Sequence, residues 1–109
     1  MSVRIIAWLG TAWLAASPCA AQGVGGDPAA GRDIAGKLCS ICHATDPDGA
    51  GITRADVPSF RRIANVPTMT PDRLAIAIII PHPEMPGVPL TRTEIRDIIS
   101  YIVSLRTQP

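Results

Sequence analysis

Cys39, Cys42 and His43 form a CxxCH motif, and it is the tightest constraint on how this chain can fold. The chain has 109 residues and three cysteines, the first of which, Cys19, lies in a segment expected to be removed. A domain this short has little apolar surface to bury and sits near the lower edge of independent stability. Such domains usually add disulfides, a metal or a large ligand. Cys39 and Cys42 alone cannot build a disulfide framework, so whatever reinforces the fold must use that pair.

The N-terminal stretch MSVRIIAWLGTAWLAA carries one early positive charge, Arg4, followed by an uncharged, mostly apolar run from Ile5 to Ala16. Pro18 ends the run, and Cys19-Ala20-Ala21 supplies small residues for cleavage before Gln22. This is the three-part plan of a secretory signal peptide. The run of 12 residues is short of the roughly 18 to 20 needed to cross hydrocarbon. Cys19 invites comparison with a lipid-anchored cysteine, but Pro18 stands where such sites have Gly, Ala or Ser. The expected organisation is a signal peptide over 1–21, a flexible leader over 22–26 and one domain over 27–109. Removing Arg4 takes the formal charge from +1 to zero. A neutral domain without Lys/Arg clusters is not a nucleic-acid binder, and the doublet Arg61-Arg62 reads as a solvated helix face.

Asp27-Pro28 marks a helix start, a cap followed by proline at the first helical position. The helix is expected to run to about Cys39, with Ile34 and Leu38 on one face and the small residues Gly31 and Ala35 on another. Gly31 costs about 1 kcal/mol of helix propensity relative to Ala, which a close helix crossing would explain. Residues 44 to 58 hold turn signals at Asp46-Pro47, Asp48-Gly49 and Val57-Pro58, and a short helix is expected from Ser59 to Asn65. Thr70-Pro71 opens a further helix to about Ile80, whose LAIAIII segment is apolar all round and must be buried or lie against a large apolar object. PHPEMPGVPL, residues 81 to 90, has four prolines and can be neither helix nor central strand. Thr91-Arg92-Thr93-Glu94 is a capping box. It opens a last helix with Ile95, Ile98, Ile99, Ile102 and Leu105 on one stripe and Arg92, Arg96, Asp97 and Arg106 mostly elsewhere. The fold class expected is all-α, three main helices plus a short one with long loops.

Three chemistries use a CxxC pair. A thioredoxin-like dithiol needs a βαβ setting with a strand before the motif, whereas a helix precedes this one. A zinc site needs four ligands. Cys39, Cys42 and His82 offer three, and the spacing lacks the second ligand pair of zinc sites. CxxCH is the attachment signature of c-type haem, in which two thiols add across the vinyl groups and the adjacent imidazole reaches the iron. Attachment by this route occurs outside the cytoplasm, in keeping with an exported chain. Candidates for the opposite axial position are Met69, His82 and Met85. Met69 directly precedes a helix cap, where packing is its expected role. Met85 lies in the proline-stiffened loop, and rigid backbone suits a soft ligand at a redox site, so Met85 is favoured and His82 is the runner-up.

CSICH after an amphipathic helix, VPSFRRIA at 57–64, HPEMPG at 82–87 and EIRDIISYIVSL at 94–105 together resemble a small bacterial class I (mono-haem) cytochrome c. The resemblance spans nearly the whole chain after residue 26, and CxxCH and the Met-Pro pair are its specific parts. It implies one covalent haem c on Cys39 and Cys42, with His43 proximal and Met85 distal on the iron. It also implies that the first and last helices cross, Gly31 meeting the Tyr101 side, and that the Pro58 carbonyl accepts from His43. The expected haem pocket includes Pro58, Phe60 and Ile79, with Leu74 and Ile76 adding to it. The chain lacks the lysine-rich face of mitochondrial relatives, so their docking mode does not carry over.

The function expected is transport of single electrons by a monomer between periplasmic or membrane redox partners, which dock transiently at a haem edge near Cys39 and Cys42. Two alternatives remain at this point. One is a haem enzyme or gas sensor with an open sixth position, and the other an electron-transfer subunit of a larger dehydrogenase or oxidase.

Overall fold

The computed structural model describes residues 24–49 and 54–107; the expected signal peptide and the first two leader residues lie outside them. Four helices follow in order: α1 (Pro28–Leu38), α2 (Phe60–Ala64), α3 (Pro71–Ile79) and α4 (Arg92–Ser104). No strand occurs among the described residues, and the fold is all-α as expected.

Each helix starts where a side-chain oxygen takes up otherwise unbonded backbone N–H groups. Asp27 accepts from Ala29 N at 2.8 Å and Ala30 N at 3.3 Å, with Pro28 occupying the first turn of α1. Ser59 caps α2 by accepting from Arg62 N, and Thr70 caps α3 by accepting from Arg73 N. At α4 the box is reciprocal. Thr91 Oγ1 accepts from Glu94 N at 3.2 Å, while Thr91 N and Oγ1 both donate to the Glu94 carboxylate, at 2.7 and 2.8 Å. Those two donors hold the Glu94 carboxyl below its ordinary pKa.

The dominant packing is α1 against α4, and Gly31 permits it. A Cβ at Gly31 would lie 2.0 Å from the Asp97 carbonyl oxygen, so the two backbones touch. The crossing expected from the sequence is present, centred at Asp97 and Ile98, one turn before Tyr101. Ala35, Ile98, Ile99 and Ile102 form the buried seam, and Phe60, Ala64 and Leu74 extend it to α2 and α3.

Two expectations need correction. Val24 to Gly26, taken for part of a flexible leader, are tied down: Val24 packs against the core and Gly26 N donates to Ser100 Oγ at 3.1 Å. Asp97, expected away from the apolar stripe, is buried, because its carboxylate accepts the Asp27 N–H at 2.8 Å beside the N-terminus of α1. A helix N-terminus favours negative charge, so this placement offsets the desolvation of Asp97. Helix α3 also differs from the sequence reading. Leu74 is buried, but Ile76, Ile79 and Ile80 are 58, 63 and 71% exposed. The segment is apolar all round, and the fold covers only one side of it.

Candidate functional site

The CxxCH motif begins at the end of α1. Cys39 is its C-cap, donating its N–H to Ala35 O, and His43 N then donates to Cys39 O at 2.9 Å. This tight turn swings His43 inward while Cys39 and Cys42 stay half-buried as free thiols. Burial pushes the Cys39 thiol pKa upward, the opposite of the activation a redox dithiol needs. Among the described residues no group of three or more His, Cys, Asp or Glu gathers as a metal site.

His43 is buried, its ring tilted against Phe60 at a centroid distance of 5.4 Å. Its Nδ1 meets the Pro58 carbonyl at 2.7 Å. A carbonyl only accepts, so the neutral ring carries its hydrogen on Nδ1 and keeps the Nε2 lone pair for another partner. The loop carrying Pro58 is fixed in turn by Phe60 N donating to Ala44 O at 2.9 Å. Behind Phe60 lies Tyr101, ring centroids 6.4 Å apart, whose hydroxyl donates to Thr45 O in the segment just after the motif.

Losing that buried bond should be measurable. Tyr101→Phe is expected to destabilise the holoprotein by about 1 to 2 kcal/mol, the usual cost of leaving a buried acceptor unmatched. The phenol also gives a pH signature, since burial raises its pKa; the Arg32 charge opposes the rise, and Asp46 and Asp48 add to it. A raised folded-state pKa means stability is unaffected below the free phenol's value of about 10 and falls as pH climbs through the folded one. Denaturation midpoints across that alkaline range should drop for the unaltered protein and less for Tyr101→Phe; equal slopes would refute the assignment.

Two adjoining cavities, of about 230 and 270 Å3, border His43. Both are edged by Leu38, Cys39, His43, Pro58, His82, Met85 and Val88. The inner one runs under Ile63, Met69, Leu74, Ile78 and Ile98 and is almost wholly apolar. The outer one reaches Cys42 and opens past Arg54, Asp56 and Glu84. Arg54 lies 3.7 Å from Asp56 and 3.9 Å from Glu84, so one cation faces two carboxylates at the mouth. Met85 enters from a proline-framed turn in which its N–H donates to His82 O at 2.8 Å.

Cys39, His43, Pro58, Phe60 and Met85 thus line one slot, and Cys42 lies at its mouth. Ile79 does not line it. One residue along the helix turns the side chain outward, and Ile78 and Ala77 line the slot instead; Ile76 likewise faces away. Met69 and His82 reach the slot as well. Met69 is fastened by its carbonyl, which accepts from Arg106 Nη2 at 2.7 Å. The donor set fits a covalent haem, with two free thiols, an oriented imidazole and a thioether around an apolar slot.

The chain is 40% identical, over 93 residues, to cytochrome c-552 of Bradyrhizobium diazoefficiens, a match covering 85% of this chain and 88% of that one. It belongs to the c-type cytochromes. No protein-family model and no solved structure matches it. The cytochrome's cofactor is accordingly a covalently bound haem c, and its role lies in electron transfer. The chain carries a CxxCH sequence at Cys39–His43.

Proposed function

We propose that this cytochrome is an exported single-electron carrier whose haem iron is held between His43 and Met85, with the thioethers at Cys39 and Cys42. The observation that carries the reading is the Nδ1 bond of His43 to Pro58, which commits Nε2 to a slot that Met85 also lines. When bound, haem c supplies a one-electron ferrous/ferric couple. The chain's residues set its terms. His43 and Met85 together leave no position for a substrate, and the soft Met85 sulfur favours the ferrous state. Phe60, Leu74 and Ile78 exclude water from the slot. Ile41, 80% exposed beside Cys42, and half-exposed Leu38 offer a small apolar contact at the mouth. A transient redox partner needs only a small interface, and the Arg54, Asp56 and Glu84 rim, one cation and two carboxylates, provides no strong charge steering.

The proposed export rests on the charged, apolar and small-residue segments of residues 1–21 and on haem attachment outside the cytoplasm. No helix among the described residues is long and apolar enough to cross a membrane.

Met85→Leu tests the ligation while keeping side-chain volume. The ferric protein should lose the weak far-red charge-transfer band of sulfur-ligated haem. Its midpoint potential should fall by on the order of 0.1 V, within the roughly 0.8 V that axial ligands span. A variant that keeps both the band and the potential would rule Met85 out. High-spin spectra in the unaltered protein would favour the open-site alternative.

One observation favours a second reading, that the cytochrome works as a subunit of a larger redox assembly. Ile76, Ile79 and Ile80 present an uncovered apolar face on α3. Gel filtration of the holoprotein with periplasmic extract separates the two readings. Coelution with a larger redox enzyme, lost in Ile76→Lys, supports the subunit; elution at monomer size in both supports the free carrier.

A further inference from the structure

His82 stands three residues before Met85, and the bond from Met85 N to His82 O, at 2.8 Å, closes the backbone between them into a turn. Pro83, second in that turn, has the φ that the position requires. A turn of this kind brings its first and fourth Cα atoms within about 7 Å of each other. The consequence is visible in the slot. Of the residues of loop 81–90, only His82, Met85 and Val88 border both cavities beside His43, and two of these three carry a ligand atom.

The two histidines of the chain differ in commitment. The His43 ring is bound through Nδ1 to Pro58, whereas the His82 ring makes no hydrogen bond or ion pair among the described residues. An imidazole beside the slot, free of other duties and on the same turn as the thioether, is a competitor for the position that Met85 takes. Metal softness sets the terms of the competition. The thioether is suited to ferrous iron, while imidazole is a harder ligand better matched to the ferric state.

We infer that His82 is a reserve axial ligand, taking the sixth position when the Met85 thioether is withdrawn and keeping the iron closed to small molecules. The inference rests on the His43/Met85 reading. Its physical content is that one turn presents two ligands, one for the working state and one for its loss. His82 already borders the slot, so it need not be recruited from a distant part of the chain.

The test compares four ferric holoproteins near neutral pH: unaltered, His82→Ala, Met85→Leu and Met85→Leu/His82→Ala. His82→Ala should keep the far-red band, showing that the histidine is idle while Met85 is in place. Met85→Leu should lose the band yet remain low-spin, and the double variant should be high-spin, returning to low-spin when imidazole is added. Cyanide reaches only molecules whose sixth position is open. If His82 fills it in nine molecules of ten, binding to Met85→Leu is about tenfold slower than to the double variant. A high-spin Met85→Leu protein that binds cyanide as fast as the double variant overturns the reserve role and leaves Met85 ligation standing. A band retained in Met85→Leu overturns the ligation reading and the reserve role together, whereas a band lost in His82→Ala overturns the reserve role alone, since His82 would then not be idle.

Discussion

Replacing both Cys39 and Cys42 with serine is expected to yield a chain that holds no pigment through acidified acetone and has lost most of its native helicity. The first result follows from the chemistry of attachment, since serine hydroxyls form no thioethers to the haem vinyl groups. The second follows from the core. Among the described residues, the buried apolar residues that pack on one another number only eight, and two of them are the alanines Ala35 and Ala64. Many of the larger side chains, among them Leu38, Ile63, Ile78, Val88 and Leu90, border the slot. Each costs about 1.5 to 3 kcal/mol if left wet rather than covered, and a core of this size rarely supplies more than about 3 to 5 kcal/mol. A few uncovered walls exceed that margin. Far-ultraviolet circular dichroism of the double variant, compared with the holoprotein, is the measurement. Unchanged helicity with a cooperative melt would show that the polypeptide closes its own interior.

Gly31→Ala should be the most damaging glycine-to-alanine change among the described residues. The added carbon would lie 2.0 Å from the Asp97 oxygen and 2.4 Å from its carbonyl carbon. Both are backbone atoms of α4, so no flexible side-chain tip can yield. The helices must part, loosening the seam at Ile98 and lengthening the bond from Asp27 N to Asp97. Overpacking usually costs about 1 to 3 kcal/mol and occasionally more; a backbone clash belongs at the upper end. The roughly 1 kcal/mol of helix propensity gained offsets only part of it. Gly36, on the same helix, is the control, because nothing lies within 4 Å of its missing Cβ. Gly36→Ala is expected to be neutral or to stabilise by about 0.5 to 1 kcal/mol. Denaturant midpoints of the two holoproteins should diverge strongly, and matching midpoints would disprove the backbone contact.

Much of this architecture was legible locally. Asp27-Pro28, Thr70-Pro71 and the Thr91/Glu94 box announced three helix starts, because capping is a matter of neighbouring residues. CxxCH named the cofactor chemistry for the same reason, and the similarity to cytochrome c-552 bears out both the fold and the haem. The readings that differed depend on contacts far apart in sequence. Asp97 was grouped with solvated charges because nothing near it foretells an N–H donor from residue 27. The tethering of Gly26 by Ser100 was hidden in the same way. Helix α3 failed for another reason. When every residue from Leu74 to Ile80 is apolar, periodicity carries no record of which side faces inward, so Ile79 was assigned to the slot that Ile78 lines. Met69 and His82 beside Met85 were identifiable as candidates, but only the fold brings all three to one cavity.

Because the chief helix pairing joins the two ends of the domain, synthesis order has a bearing on maturation. A polypeptide emerging with its N-terminus first has no partner for α1 until α4 has also emerged. Through that interval α1 has nothing to pack against, so the seam at Gly31 and Asp97 is the last part of the core able to form.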